Sequence, residues 1–132
     1  MDQAWLAVLL SAFSIFPLWL IEQILPYPFL IEEVFKLLLV SYVVLRVRGD
    51  RVLRLILLCG LIFGLSETIL YLFNVFRNSN EWMIVARLAL TVPMHTLTFY
   101  VLYLGVSRGR VMTMICFGLA LGIHWLFNLL RF

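Results

Sequence analysis

Glu32, Glu33, Lys36, Glu67, His95 and His124 are the residues of this chain whose types could do chemistry, and each sits in an otherwise apolar run. Carboxylates combined with histidines suit activation of a water molecule. One group accepts its proton, others place it, and a donor holds the developing oxyanion. Glu32 and Lys36 are four apart and Glu33 and Lys36 three apart, so on a helix Lys36 can neutralise a carboxylate locally. No serine or cysteine has an obvious base beside it in sequence; Ser41 and Ser66 could lie near the cluster, but no motif singles them out. Cys59 and Cys116 fall inside apolar spans and read as small buried hydrophobes rather than as a disulfide framework.

The elements that carry these residues must be membrane helices. Hydrophobic residues make up 64% of the 132-residue chain and charged ones 13%, against about 45–50% hydrophobic in a soluble domain. The expected fold is therefore all-α: a single transmembrane helical domain, residues 1–132, built as a bundle of about five spans. The spans are Ala4–Leu25, Pro28–Val47, Val52–Phe76, Trp82–Val106 and Val111–Phe132, each about 20 residues and long enough to cross the hydrocarbon core. Pro26 and Pro28, Gly49-Asp50, Asn78-Ser79-Asn80 and Ser107-Arg108-Gly109 mark the turns. Pro17 and Pro93 fall inside spans and should kink them. The first apolar run has no basic stretch before it, so it reads as a retained helix rather than a cleaved signal, and no soluble domain is expected at either end.

Six of the ten Lys and Arg residues lie in two short stretches, Arg46/Arg48/Arg51/Arg54 and Arg108/Arg110, with Arg77 and Arg131 on the other side. By the positive-inside rule this expects a cytoplasmic N-terminus. It also excludes a nucleic-acid partner, because no polar face carries the arginines; the expected surroundings are the lipid bilayer. Trp5, Tyr27 and Trp82 near span ends suit the membrane interface.

Depth then groups the polar residues. At 1.5 Å per residue Glu33 lies about 8 Å into its span, Glu67 about 14 Å from the end of the third, His95 about 20 Å into the fourth and His124 about 11 Å from the end of the fifth. Consecutive helices alternate in direction, so all four fall away from the arginine loops, where a polar cavity in the non-cytoplasmic half is expected. Faces agree with depth. Gly60, Gly64, Glu67, Tyr71 and Asn74 line one stripe, Arg87, Thr91, His95 and Thr98 a second, and His124, Asn128 and Arg131 a third. Gly60/Gly64 and Gly118/Gly122 are spaced for close backbone approach. Taken singly each group has a plainer reading: an interfacial charge cluster at a helix start, a Glu67–Arg87 bridge, packing histidines.

Together the motifs resemble the PrsW family of intramembrane proteases. Glu32-Glu33-x-x-Lys36 is similar to its EExxK motif. Gly60-Leu-Ile-Phe-Gly64-Leu-Ser-Glu67 is similar to its glycine-rich second motif, Pro93-Met-His95-Thr96 to its third and His124-Trp-Leu-Phe-Asn128 to its fourth. The wider superfamily includes the CAAX-prenyl proteases, which also pair glutamates with later histidine or asparagine motifs. Thr68 departs from the pattern, standing where relatives often carry Asn, and the chain has few spans beyond those that bear motifs. The resemblance implies a multi-pass protein of a bacterial or archaeal cell membrane that cuts membrane-anchored proteins or peptides near the membrane surface, in some members releasing an anti-sigma factor. A homodimer could complete the cavity.

The expected roles are Glu33 as general base, Glu67 and His124 placing the water or the scissile carbonyl, and His95 donating to the oxyanion. Glu32, Lys36 and Asn128 support, Lys36 by holding the glutamate pair and Asn128 by orienting His124. The chemistry needs no cofactor. A zinc-dependent version would use Glu33, Glu67, His95 and His124 as ligands, although the HExxH spacing is absent. Two other functions remain open on the residues: a non-catalytic scaffold, immunity factor or binding module of the same fold, and a proton or ion pathway.

Overall fold

Every backbone N–H and C=O in a bilayer needs an internal partner, which leaves apolar runs of this length little choice but helix. The computed structural model describes residues 2–75 and 81–130 and is helical throughout, with six segments among them. They are α1 (Gln3–Phe13), α2 (Ile15–Glu22), α3 (Pro28–Arg46), α4 (Arg51–Val75), α5 (Glu81–Arg108) and α6 (Arg110–Leu129). Arg77, the Asn78-Ser79-Asn80 turn and Arg131 lie outside the described residues, as do the side chains of Asn74 and Arg87.

Segments α1 and α2 form one span, Gln3–Glu22, interrupted at Ser14. Pro17 explains the break. It has no N–H for the carbonyl of Phe13, and its ring crowds that carbonyl. Pro93, by contrast, sits inside an unbroken α5. Asp2 caps α1 by accepting from the Ala4 N–H at 3.2 Å, and Pro28 starts α3 at its first turn. A single residue, Gly109, links α5 to α6 at φ 106°, a conformation that glycine reaches without steric cost.

Four helices among the described residues are long and apolar enough to cross a membrane. Helix α3 is not among them because it carries Glu32, Glu33, Lys36 and Arg46. Yet α3 is the helix that packs against all five other segments. Its three mid-helix charges, Glu32, Glu33 and Lys36, face protein, not lipid, while Arg46 at its end is exposed. Glu32, Glu33 and Lys36 are buried together with Leu39, Val40 and Val43 on one side of the helix. The bundle is thus wrapped around its most polar helix, and the outer helices present apolar side chains such as Leu58, Leu97 and Ile115 outward.

The two glycine pairs differ. A Cβ on Gly60 would stand 2.8 Å from the Thr96 Cα, and one on Gly64 would stand 2.8 Å from the Val92 Cα. These glycines let α4 and α5 touch along their backbones, which brings Glu67 to His95. Gly118 and Gly122 meet nothing within 4 Å. They lie two residues from Ala120, about 200° around the helix, so they face away from the bundle. The expected close approach there does not occur; α5 and α6 instead meet at Gly105, where a Cβ would lie 2.8 Å from that of Cys116. Gly60→Ala and Gly64→Ala should each destabilise the protein by about 1–3 kcal/mol through overpacking against backbone. Gly118→Ala and Gly122→Ala should be neutral or slightly stabilising, since Ala favours helix. Thermal unfolding in detergent micelles, followed by Trp fluorescence, separates the two pairs; equal effects would refute the packing account.

Candidate functional site

Three helices deliver the buried polar residues by simple register. Helix α3 turns Glu32, Glu33 and Lys36 inward. Helix α5 buries Thr91, His95 and Thr98 at spacings of four and three, and α6 buries Cys116, Ala120 and His124 at spacings of four. Helix α4 adds Glu67, which keeps 17% of its side chain exposed.

The network starts at Glu33, which is fully buried. Its Oε1 accepts from Lys36 Nζ at 2.5 Å and lies 2.8 Å from His124 Nδ1. Lys36, also fully buried, donates to the Thr98 hydroxyl at 3.3 Å and sits 5.1 Å from the centre of the Phe63 ring. The Thr98 hydroxyl donates in turn to the His95 carbonyl at 3.1 Å. His95 Nε2 pairs with Glu67 Oε2. The two imidazoles meet edge to face, with centroids 5.3 Å apart. Glu32 Oε2 lies 4.0 Å from His124 Nε2.

Each histidine therefore has one nitrogen held by a glutamate: His95 by Glu67 and His124 by Glu33. Their remaining nitrogens are His95 Nδ1 and His124 Nε2. One ligand atom from each of Glu32, His95 and His124 lies within 4.8 Å of the others. Glu32 Oε2, Glu33 Oε2 and His95 Nδ1 are buried without a hydrogen-bond partner in the protein. An unmet buried polar atom costs about 1–3 kcal/mol, so each of these atoms calls for a water, an ion or a substrate group.

A cavity of about 150 Å³ at the end of the bundle away from the arginine loops touches the cluster at Glu32 and Glu67 and is lined besides by Ile15, Trp19, Glu22, Leu70 and Tyr71. Toward the other end the interior is apolar, packed with Leu39, Val40, Val43, Ile56, Cys59, Phe99 and Leu102. The arginines stand apart at that far end, where Arg46, Arg48, Arg51 and Arg54 share a 440 Å³ cleft with Asp2 and Gln3.

All six residues singled out for chemistry come together. Asn128 does not join them: it is exposed, and Glu33 holds His124, which Asn128 was expected to orient. Each four-residue step drifts about 40°, so Asn128 stands about 80° from Ala120, the middle of the buried stripe Cys116–Ala120–His124, and off the inner face. Ser41 donates its hydroxyl to the Leu37 carbonyl at 2.7 Å, and Thr68 donates its own to the Gly64 carbonyl at 2.8 Å. Glu22 was missed from sequence. It ends α2 and lines the same cavity as Glu32, and a carboxylate closing an apolar run beside Pro26 was the available signal. In comparison with known proteins, no protein-family model, no curated protein and no solved structure matches this chain.

Proposed function

We propose that this protein is an intramembrane peptidase that hydrolyses a peptide bond of a membrane-anchored protein or peptide. The observation that carries the reading is the convergence of Glu32, His95 and His124 on one point, with each imidazole backed by its own glutamate. The resemblance of the four motifs to the PrsW family points the same way.

The geometry redistributes the roles expected from sequence. Each glutamate keeps one unpartnered oxygen, but Glu33 gives its other oxygen to Lys36 and His124, whereas Glu32 lines the cavity. Glu32 is accordingly the proton acceptor for the attacking water, and His124 Nε2 helps to place that water. The water oxygen bonds to the scissile carbonyl carbon while its proton passes to Glu32. When the C–N bond breaks, that proton is returned to the leaving amine. His95, held by Glu67, is the donor assigned to the oxyanion. Glu33 and Lys36 keep the α3 end of the site in register.

An ion pathway would need polar groups across the whole bundle; the apolar packing on the arginine side argues against it. A binding module would need the pocket's shape but not its proton chemistry. The test is cleavage of a synthetic single-span peptide in micelles by wild type, Glu32→Gln and His124→Ala. Turnover by wild type that either substitution abolishes while the chain stays folded supports hydrolysis. Wild-type protein that binds the peptide without cutting it would refute the reading and favour the binding module.

A further inference from the structure

The arginine cleft lies at the opposite end of the bundle from the buried carboxylates and takes no part in their chemistry. Orientation in a membrane requires only that basic residues lie on one side; it does not require them to converge. Arg46, Arg48, Arg51 and Arg54 nevertheless converge on one 440 Å³ cleft, whereas Arg108 and Arg110, at the same end, do not line it. We infer that this cleft binds the phosphate headgroup of one anionic phospholipid.

Three helix ends build the cleft. Arg46 closes α3, Arg51 and Arg54 fill the first turn of α4, and Asp2 and Gln3 open α1. Among the described residues none of the four guanidinium groups has an ion-pair partner. Asp2, the one acid that lines the cleft, already gives a carboxylate oxygen to the Ala4 N–H. Four arginines against one aspartate leave a net charge of +3 on the lining residues. Like charges gathered in one cleft repel one another, and an anion between them replaces that repulsion with attraction. Guanidinium groups meet phosphate oxygens through paired N–H donors, matched in shape as well as charge. Gln3 adds a neutral donor. Its Oε1 accepts from the Tyr42 hydroxyl at 2.7 Å, which leaves the amide NH₂ for a ligand.

The apolar wall of the cleft says what carries the phosphate. Leu55 and Leu58 follow Arg51 and Arg54 along α4, and the steps of three and four residues set Arg51, Leu55 and Leu58 on one stripe. Leu58 lies about 10 Å along the axis from Arg51 and is 45% exposed, on the surface that meets hydrocarbon. The cleft thus runs from a basic level to an apolar one, as a phospholipid does from headgroup to acyl chain; a soluble anion would leave Leu58 unused. The headgroup must carry net negative charge, because the ammonium of a zwitterionic lipid would face the same arginines. Basic pockets between membrane helices take anionic headgroups of this kind. The inference does not rest on the peptidase reading, whose residues Glu32 and Glu67 line the cavity at the other end.

The test is lipid titration of the full chain in detergent, followed by native mass spectrometry, with phosphatidylglycerol and phosphatidylcholine of matched acyl chains as probes. No bilayer is crossed in detergent, so the part the arginines play in orientation does not enter. Wild type should retain one phosphatidylglycerol under conditions that strip phosphatidylcholine. Arg51→Gln/Arg54→Gln should weaken that binding by about 30-fold, while Arg108→Gln/Arg110→Gln should leave it unchanged. All four substituted side chains are exposed, and circular dichroism with gel filtration establishes that the variants are folded. Glycerophosphoglycerol, the same headgroup without acyl chains, separates the two sources of phosphate: at equal concentration it should not displace the lipid. Displacement would overturn the lipid assignment in favour of a soluble anion. Equal retention of the two lipids, no retention of either, or equal losses from the two arginine pairs would overturn the site and reduce the arginines to diffuse charge.

Discussion

Glu33→Gln should destabilise the bundle by about 3–5 kcal/mol, and Lys36→Met by a comparable amount, while the double variant should recover most of that loss. Both side chains are fully buried, and Lys36 meets Glu33 at 2.5 Å. Removing the carboxylate charge leaves an ammonium with only the Thr98 hydroxyl and the Phe63 ring to replace water. Removing the lysine leaves a carboxylate held by His124 alone. Removing both takes away the two charges whose desolvation is the cost, and the amide oxygen of the substituted side chain can still accept from His124. Thermal or denaturant unfolding of the four proteins in one detergent gives the coupling energy directly. Additive effects, or single variants within about 1 kcal/mol of wild type, would show that the pair is not the buried unit the structure describes.

Glu32→Gln should do the opposite. Turnover on a single-span peptide should fall by about 10²–10⁴-fold, the range for losing a positioned acid–base group, which corresponds to about 2.7–5.4 kcal/mol in the barrier. Stability should hold or rise. Glu32 is engaged in no close ion pair, its Oε2 has no partner, and its neighbour Glu22 is another carboxyl. Neighbouring residues in sequence thus divide the work: Glu33 keeps the site together and Glu32 faces what enters it. Initial cleavage rates and unfolding midpoints measured on the same preparations check both halves of the statement. A Glu32→Gln protein that cuts at the wild-type rate would return the role of base to Glu33 or remove the chemistry altogether.

Both expectations depend on details that differ in how legible they were. The helices could be read from the chain because hydropathy and the 3.6-residue repeat are local properties. Proline and glycine acted where they stand, as at Pro17 and Gly109. Even the common depth of Glu33, Glu67, His95 and His124 followed from counting residues along antiparallel rods. Depth and direction along a helix axis accumulate residue by residue, so they survive without knowledge of neighbours.

Rotation about that axis is a different matter. Adjacent residues stand about 100° apart on a helix, so Glu32 and Glu33 cannot both point the same way. Nothing in the spacing says which one meets His124 Nδ1 and which faces the cavity. The glycine pairs carry the same lesson, since identical spacing placed Gly60 and Gly64 against α5 but left Gly118 and Gly122 facing outward. Asn128 left the site through drift that has reached about 80° from Ala120, and Glu22 entered it because the chain folds back at Pro26 and sets the end of α2 beside the start of α3. The sequence by itself determined a set of membrane helices with their polar residues at one level. The tertiary structure decided which atoms of those residues face one another, because only packing between helices sets their rotation.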